Sequence, residues 1–306
     1  MAAVLLAALL TAATPEMPAV DTPSHCYTVA QRVTLDRVLT VDEFRIRYTL
    51  AGPDALADQE DANHNGTPDV IENIATQLVT ARDVYRDLLH LHPPLTQPRY
   101  LAAHGIEVLV RKLNGINGLS YDEVTRRGAG ASLSDCSLTI SLTNSLRFDR
   151  NASPAHELFH LFQYGYSMFK RGWYLEGMAR WIESAFVGPT TPAPPPPSCG
   201  SVTGSTYAAA GFWRALAQQA GGSLRYPPAF RMRTYIDGRP VIAVAEFPGG
   251  LAVRVMLEAL GRAGDAAEQR DRLPRFAVPE AVQKSARYDS DICQAVEALA
   301  TGRKGG

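Results

Sequence analysis

Two histidines and a glutamate stand close together in the sequence, at His156, Glu157 and His160. On a helix, two imidazoles four residues apart point the same way and can bind one metal ion. Glu157 then lies beside the metal but off the line between its ligands, where a base acting on water must be placed. The spacing predicts a hydrolytic metal site. The alternative is a pair of helix-face histidines satisfied by the backbone, with Glu157 as a solvated charge.

The flanking residues predict the helix that this site requires. Ser153 can serve as the N-cap, and Pro154 suits the first helical position, where its missing N–H costs nothing. Apolar residues then recur on nearly every side, as expected of a helix buried inside a domain.

A second helix is predicted over residues 173–183, because apolar residues recur there at helical spacing. These residues are Leu175, Met178 and Ile182. The short segment 167–172 before it favours an antiparallel pair of helices. Glu176 would then face the two histidines. Two histidines and one glutamate, with the fourth position open to water, form a catalytic rather than a structural zinc arrangement.

Glu176 is preferred over Glu183 as the third ligand, although both lie on one helix face. Gly177 and Ala179 would let this turn approach the histidine helix with little bulk between them. A carboxylate in the first turn of a helix is also favoured. Glu183 is expected to hydrogen-bond a ligand imidazole or to pair with Arg180.

The segments HELFHLFQYGY and WYLEGMARWIE resemble those of the gluzincin type of zinc metallopeptidase. More narrowly, they are similar to a set of poorly characterised bacterial secreted metallopeptidases. Those proteins share H-E-F-F-H-x-x-Q-x-G-Y, W-x-x-E-G-x-A-x-W-x-E and an upstream N-G-x-P-D stretch. This chain has Leu158 in place of the first Phe of the pattern. The resemblance covers about residues 44–190 and, weakly, 207–220.

The resemblance implies a zincin-like domain that hydrolyses peptide bonds, with Glu157 as the general base. The implied zinc ligands are His156, His160 and Glu176. Peptide hydrolysis also needs a donor for the oxyanion. The candidate donors, which the sequence does not separate, are Tyr164, Tyr166 and Tyr207.

Two other functions compete with a peptidase. One is a catalytically inactive binding protein on the same fold, stabilised by its metal and calcium sites. Glu157 argues against it, because a structural metal site has no use for a base. The other is a metal-dependent hydrolase of non-peptide bonds.

Residues 61–72 match the calcium-loop pattern D-x-[DN]-x-[DN]-G-x5-E at every specified position. Gly66 permits the sharp turn that the pattern needs. The predicted ligands are Asp61, Asn63, Asn65, Thr67, Asp69 and Glu72. Because the segment before the loop reads as strand and loop, we expect a lone structural calcium site rather than a paired sensor. The alternative is an Asn/Gly/Asp-rich turn that caps a helix predicted over 69–90.

The chain has 306 residues, a net charge of −1 and no run of Lys or Arg, which argues against a nucleic-acid or anionic-membrane partner. Residues 2–13 are an apolar run ending in small residues, typical of a signal peptide over 1–13, although no basic residue precedes it. The run is too short to span a bilayer. We therefore predict a secreted or periplasmic protein that acts on peptides or proteins, with its oligomeric state left open.

Four widely spaced cysteines without a CxxC predict two disulfides in an exported protein. Three pairings are open. We favour Cys26–Cys293, which would join the two ends of the fold, and Cys136–Cys199, which would anchor a Pro-rich stretch to a strand.

Strands are predicted over 44–50, 106–112 and 137–142, with Gly-rich loops over 114–132. An edge strand near 129–133 could pair with an extended peptide. Strands followed by helices indicate an α+β fold, here a zincin-like domain with a small mixed or antiparallel sheet and an active-site helix.

The predicted organisation after the signal-like segment has three parts. The strands, calcium loop and zinc region occupy 26–188, and an extended Pro-rich excursion follows over 189–200. Residues 201–306 form a helical C-terminal subdomain, with helices predicted over 207–220 and 249–263.

Overall fold

A mixed six-stranded sheet underlies the first half of the computed structural model, which describes residues 25–30, 35–128, 131–148, 151–188 and 198–300. The strands are β1 (Tyr27–Val29), β2 (Arg37–Val41), β3 (Phe44–Tyr48), β4 (Ile106–Arg111), β5 (Gly118–Arg127) and β6 (Ser137–Thr143). Their spatial order is β1-β5-β6-β4-β3-β2. The β1–β5, β3–β4 and β4–β6 pairs are parallel, and the β2–β3 and β5–β6 pairs are antiparallel.

The two faces of this sheet differ because side chains alternate along each strand. Ile46, Val108 and Ile140 lie on one face and are fully buried. Helices α1 (Asp69–Asp83) and α2 (Ser153–Tyr166) pack on that face, and α3 (Gly172–Val187) packs on α2. The opposite face carries the polar members of the same strands.

The predicted helices are present, with shifted ends. Helix α1 continues as a π-helical turn over Val84–Leu88, close to the predicted 69–90. In α2, Ser153 is the first helical residue and Ala152 precedes it, so the predicted N-cap role of Ser153 is wrong. The amide of His156 donates to the carbonyl oxygen of Ala152 instead, which begins the helix one residue earlier.

Further helices follow residue 198. They are α4 (Ala210–Ala220), α5 (Pro228–Arg231), α6 (Val253–Asp271), α7 (Glu280–Gln283) and α8 (Asp289–Ala300). Helix α4 packs on α3, α6 packs on α2, and α8 packs on α4 and α6. A short antiparallel pair, β7 (Leu224–Arg225) and β8 (Glu246–Phe247), was not predicted. The division at the Pro-rich stretch stays a prediction, and residues 189–197 of that stretch lie outside the described residues.

Strand β5 corrects the predicted loop over 114–132. It pairs with β6 along much of its length and with β1 only at Thr125–Arg127, and Leu133–Asp135 form a 3-10 helix. The predicted edge strand near 129–133 is wrong for residues 131–133, which the structure describes and which belong to no strand. The strand escaped prediction because Ser120 and Asp122, which face the helices, are polar and break the apolar alternation.

Two disulfides are present, but both predicted pairings are wrong. The bridges are Cys26–Cys136 and Cys199–Cys293. Strand β1 lies beside β5, whose neighbour β6 begins directly after Cys136, and this register brings Cys26 to that cysteine. Cys199 lies in a 3-10 turn that packs on α8, and α8 carries Cys293.

No helix in the described part of the chain is long and apolar enough to cross a membrane. The two disulfides are compatible with a secreted protein. The signal-like segment 1–13 lies outside the described residues.

Candidate metal centre

Helices α2 and α3 bring three metal-ligating side chains together. His156, His160 and Glu176 are, among the described residues, the one group of at least three His, Cys, Asp or Glu whose ligand atoms all lie within 4.8 Å of one another. Glu176 Oε2 is 3.2 Å from His156 Nε2 and 3.6 Å from His160 Nε2. The two imidazole planes lie at 86° to each other, and both Nε2 atoms lie near the same Glu176 oxygen. Two nitrogens and a carboxylate oxygen are ligands that zinc accepts.

Both imidazoles are held by acceptors on their other nitrogen. Gln163 Oε1 lies 2.8 Å from His160 Nδ1, and Glu183 Oε1 lies 3.0 Å from His156 Nδ1. The ring N–H of His156 is not aligned for a hydrogen bond in the second contact, although the distance suits one. An acceptor at Nδ1 fixes the tautomer that leaves Nε2 free to bind a metal. Glu183 therefore stands where it was expected, and it also pairs with Arg180.

Glu157 is positioned by strand β5. Ser120 Oγ lies 2.8 Å from Glu157 Oε2 and 2.7 Å from the backbone oxygen of the same residue. Gly118 leaves the space beside this carboxylate, because a Cβ there would lie 2.4 Å from Glu157 Oε1. The carboxylate of Glu157 is therefore confined between the hydroxyl group of Ser120 and the backbone of Gly118, which has no side chain.

The charges in the centre shift one another's pKa values. Burial would lower the pKa of His156, but Glu176 and Glu183 outweigh it and raise that pKa to about 10. Burial would raise the pKa of Glu176, yet the two imidazoles hold it well below its ordinary value. Burial raises the pKa of Glu157, against the opposing effect of the imidazoles and Ser120. An elevated pKa suits a carboxyl group that must accept a proton and return it.

The structure separates the three candidate tyrosines. Tyr207 is 55% exposed, and its ring centroid lies 6.1 Å from that of His156. Burial and the neighbouring Glu176 carboxylate raise the pKa of Tyr207, which keeps its hydroxyl protonated. Tyr164 stacks on His160 with 5.9 Å between ring centroids. The hydroxyl of Tyr166 accepts a hydrogen bond from the backbone of His92, so this tyrosine is engaged away from the three ligands.

Gly177 has a different role from the one predicted. A Cβ there would lie 2.7 Å from Cβ of Ala209 and 3.1 Å from Nε1 of Trp213, neither of which belongs to α2. Ala209 ends the 3-10 turn Tyr207–Ala209. The glycine therefore admits the segment that carries Tyr207, rather than easing the contact between α3 and the histidine helix.

A buried ion cluster lies beside the centre on the same face of β5. Asp122 pairs with Arg99, and its Oδ1 is 2.8 Å from Lys170 Nζ. Burial would raise the pKa of Asp122, but these two cations lower it. Lys170 also lies over the ring of Tyr164, 5.1 Å from its centroid, and Arg99 donates to the carbonyl oxygen of Tyr164. The cluster thus fixes the end of α2 that follows His160.

The predicted calcium loop has its oxygen groups gathered around one turn. Asp61 accepts hydrogen bonds from the backbone N–H groups of Asn65 and Gly66, at 3.1 and 2.8 Å. The amides of Asn63 and Asn65 donate to the two oxygens of Glu72, at 3.0 and 2.8 Å. Gly66 has φ +87°, which only glycine adopts easily.

The rest of the loop joins it to helix α1. Asp69 Oδ1 accepts from the backbone of Ala62 at 3.1 Å, and Thr67 donates its N–H to Asn65. Asp69 and Glu72 stand in the first turn of α1, where carboxylates are favoured. The N-cap residue of α1 is Pro68, and no side chain caps the helix by a hydrogen bond.

No protein-family model, curated protein or solved structure matches the chain.

Sequence reasoning missed Ser120, Gly118 and Gln163 as residues of the centre. Gln163 could have been found, because a residue three positions after His160 lies on the same helix face. It also donates to the carbonyl oxygen of Leu175, which ties α2 to the turn before Glu176. Ser120 and Gly118 carried no such signal, since they lie in a strand that was predicted as loop.

Glu176→Gln should lower the affinity for a divalent metal more than Glu183→Gln, with zinc as the probe. Glu176 contributes a ligand oxygen, whereas Glu183 acts on the metal through His156. Loss of such an outer partner typically costs about 10–100-fold in metal affinity or activity. Competition with a chromogenic chelator measures both constants. The reverse order would move the third ligand to Glu183.

Gly118→Ala should abolish most metal-dependent hydrolysis while leaving metal content and thermal stability nearly unchanged. The added methyl group would displace the end of the Glu157 side chain, which can move without unfolding the protein. Ser120→Ala removes only one hydrogen bond, so we expect a loss on the order of tenfold.

Leu119→Ala is the matched control, since Leu119 lies on the opposite face of the same strand and is 41% exposed. Rates are compared at saturating and at limiting substrate. Parent rates in both Gly118→Ala and Ser120→Ala would show that β5 does not position the base.

Millimolar calcium should raise the thermal unfolding midpoint, and Asp61→Ala should remove this increase. Three carboxylates around one turn repel one another until a cation neutralises them. Each kcal/mol of binding energy is worth roughly 2–4 °C for a chain of this size. Asp58→Ala, just outside the pattern, is the control and should keep the full increase. If calcium does not change the thermal unfolding midpoint of the parent protein, the calcium site is refuted.

Proposed function

We propose that this chain is a secreted zinc metallopeptidase of the gluzincin type with a zincin-like catalytic domain. The observation that carries the proposal is the contact of one Glu176 oxygen with both Nε2 atoms, 3.2 and 3.6 Å away, beside the buried carboxylate of Glu157. A purely structural metal site has no use for that second carboxylate. The peptide-bond specificity rests on the resemblance of the two helix segments to this class.

The donor set fits zinc. His156, His160 and Glu176 would hold the ion, and the acceptors at both Nδ1 atoms favour the tautomers that binding requires. Bound zinc supplies a Lewis acid, which lowers the pKa of water towards about 7 and polarises a carbonyl group. A zinc site built from cysteine thiolates is ruled out, because all four cysteines are in disulfides.

Glu157 would take the proton of the attacking water and return it to the departing amine. Its raised pKa and its confinement by Ser120 and Gly118 suit both steps. Tyr207 is the preferred donor to the oxyanion, because its protonated hydroxyl lies beside Glu176 at the exposed side of the centre. Tyr164 remains the second candidate, held against His160.

The scaffold would serve a protein that works outside the cytoplasm. Two disulfides suit an oxidising compartment, and the loop at 61–72 would add a structural calcium ion at the start of α1. A signal peptide over 1–13 would direct the export.

Glu157→Gln should reduce peptide hydrolysis by roughly a hundredfold to ten-thousandfold, the usual contribution of a general base. Metal content should stay the same, because Glu157 is not one of the three converging ligands. Cleavage of a peptide library is followed by mass spectrometry, with and without a zinc chelator. Glu258→Gln on the exposed surface of α6 is the control for the same chemical change.

The outcomes separate the rival functions. Chelator-sensitive peptide cleavage that depends on Glu157 supports the peptidase. Bound zinc without any hydrolysis would favour the binding protein, and hydrolysis of esters or amides without peptide cleavage would favour a different hydrolase. Cleavage that persists at the parent rate in Glu157→Gln would contradict the proposed base.

A further inference from the structure

The face of the six-stranded sheet turned away from α2 carries a groove with both polar and apolar walls. Its floor is strand β6, whose side chains on this face are four small hydroxyl residues, all buried. They are Ser137, Thr139, Ser141 and Thr143. Longer side chains of the flanking strands rise on either side, including Leu109 and Arg111 from β4 and Tyr121 and Arg127 from β5. The groove has a volume of about 810 Å3, which suits a small organic ligand.

Two guanidinium groups reach into this groove and make only long contacts there, of 3.3 Å or more. Arg111 contacts Ser141 Oγ at 3.3 Å and the hydroxyl of Tyr121 at 3.5 Å. Arg127 contacts Thr139 Oγ1 at 3.4 Å, while its Nε is buried without a hydrogen-bond partner. Guanidinium groups paired with carboxylate or phosphate form contacts of about 2.7–2.9 Å. Both arginines therefore have unused capacity for an anion.

The hydroxyl groups that the two arginines contact lie close together on the floor of the groove. Thr139 and Ser141, the hydroxyls that they contact, are two residues apart on one strand, which corresponds to about 7 Å. An oxyanion between them can accept from both arginines at once. The hydroxyls of Thr139 and Ser141 on the floor can donate to the same group.

The charge on this face is also unbalanced. Glu107 is buried and pairs with Arg47 at 2.6 Å, and it lies 3.9 Å from both Arg45 and Arg127. Among the described residues that line the groove, two arginines (111 and 127) face one carboxylate, Glu123. Burial lowers the pKa of Arg127, and so do the neighbouring Arg111 and Arg47, against the opposing effect of Glu107. A bound anion would remove this imbalance.

We propose that this groove binds an organic anion, whose phosphate, sulfate or carboxylate group lies between Arg111 and Arg127. The body of the ligand would contact Tyr27, Val29 and Leu109, which also line the groove. The site is separate from the metal centre, because β5 presents Ser120 to Glu157 on one face and Tyr121 to the groove on the other. It would serve recognition or regulation, and it does not depend on the proposed peptidase activity.

The test is calorimetric titration of the metal-loaded protein at constant ionic strength. Inorganic phosphate, sulfate and acetate are the three probes, so the preferred anion chemistry is read directly. Arg111→Met and Arg127→Met should each weaken binding of the preferred probe by tenfold or more. Phenyl phosphate should bind more tightly than inorganic phosphate if the apolar wall contacts the ligand.

Arg126→Met is the matched control, since it removes the same charge from the residue directly before Arg127 on the strand. Arg126 contacts Thr28 rather than the groove, and this variant should bind like the parent. Binding that is unaffected by Arg111→Met and Arg127→Met, as expected if phosphate occupies the metal centre, would overturn the proposal. So would the absence of saturable binding by every probe. Cooperative thermal unfolding of each variant shows that a loss of binding is not a loss of fold.

Discussion

Two buried imidazoles need acceptors for their Nδ1 atoms, and the rest of the metal centre depends on meeting that need. Burying a polar group without a hydrogen-bond partner costs roughly 2–7 kcal/mol. Gln163 Oε1 meets the need of His160 within α2, and Glu183 Oε1 lies 3.0 Å from His156 Nδ1 without the alignment of a hydrogen bond. The second contact requires α3 to lie alongside α2, and that same placement carries Glu176 to the two Nε2 atoms. One packing arrangement therefore places Glu183 beside one nitrogen of His156 and completes the candidate ligand set.

The ligands could be predicted from the sequence because they depend on helical spacing, which is local. His156 and His160 share a face, and Glu176 and Glu183 share another, wherever the helices lie. Features that depend on strand order could not be predicted in this way. The sequence contains no local sign that β1 lies beside β5. The pairing of Cys26 with Cys136 depends on this placement of β1. Gly177 was misinterpreted for the same reason, because its contacts come from the segment after the Pro-rich stretch.

Strand β5 shows how polar side chains with buried partners can hide a strand from sequence analysis. A strand inside a sheet usually alternates or is apolar throughout, and both patterns are easy to recognise. In β5 the helix-facing side holds Ser120 and Asp122, which serve Glu157 and the buried cations. The other side holds Tyr121 and Arg127, which line the groove. Prediction from local sequence patterns fails most often where side chains have a role other than packing.

The two disulfides close loops that follow each other along the chain, from 26 to 136 and from 199 to 293. A chain made from its N-terminus exposes its first two cysteines together before the others exist. Those two can only pair correctly, and by the time Cys293 is made, Cys199 is the one thiol left for it. Such an order lets a simple oxidant produce the native bridges without reshuffling, which otherwise takes minutes to hours when uncatalysed. Helices α2 and α3 lie between the two loops along the chain.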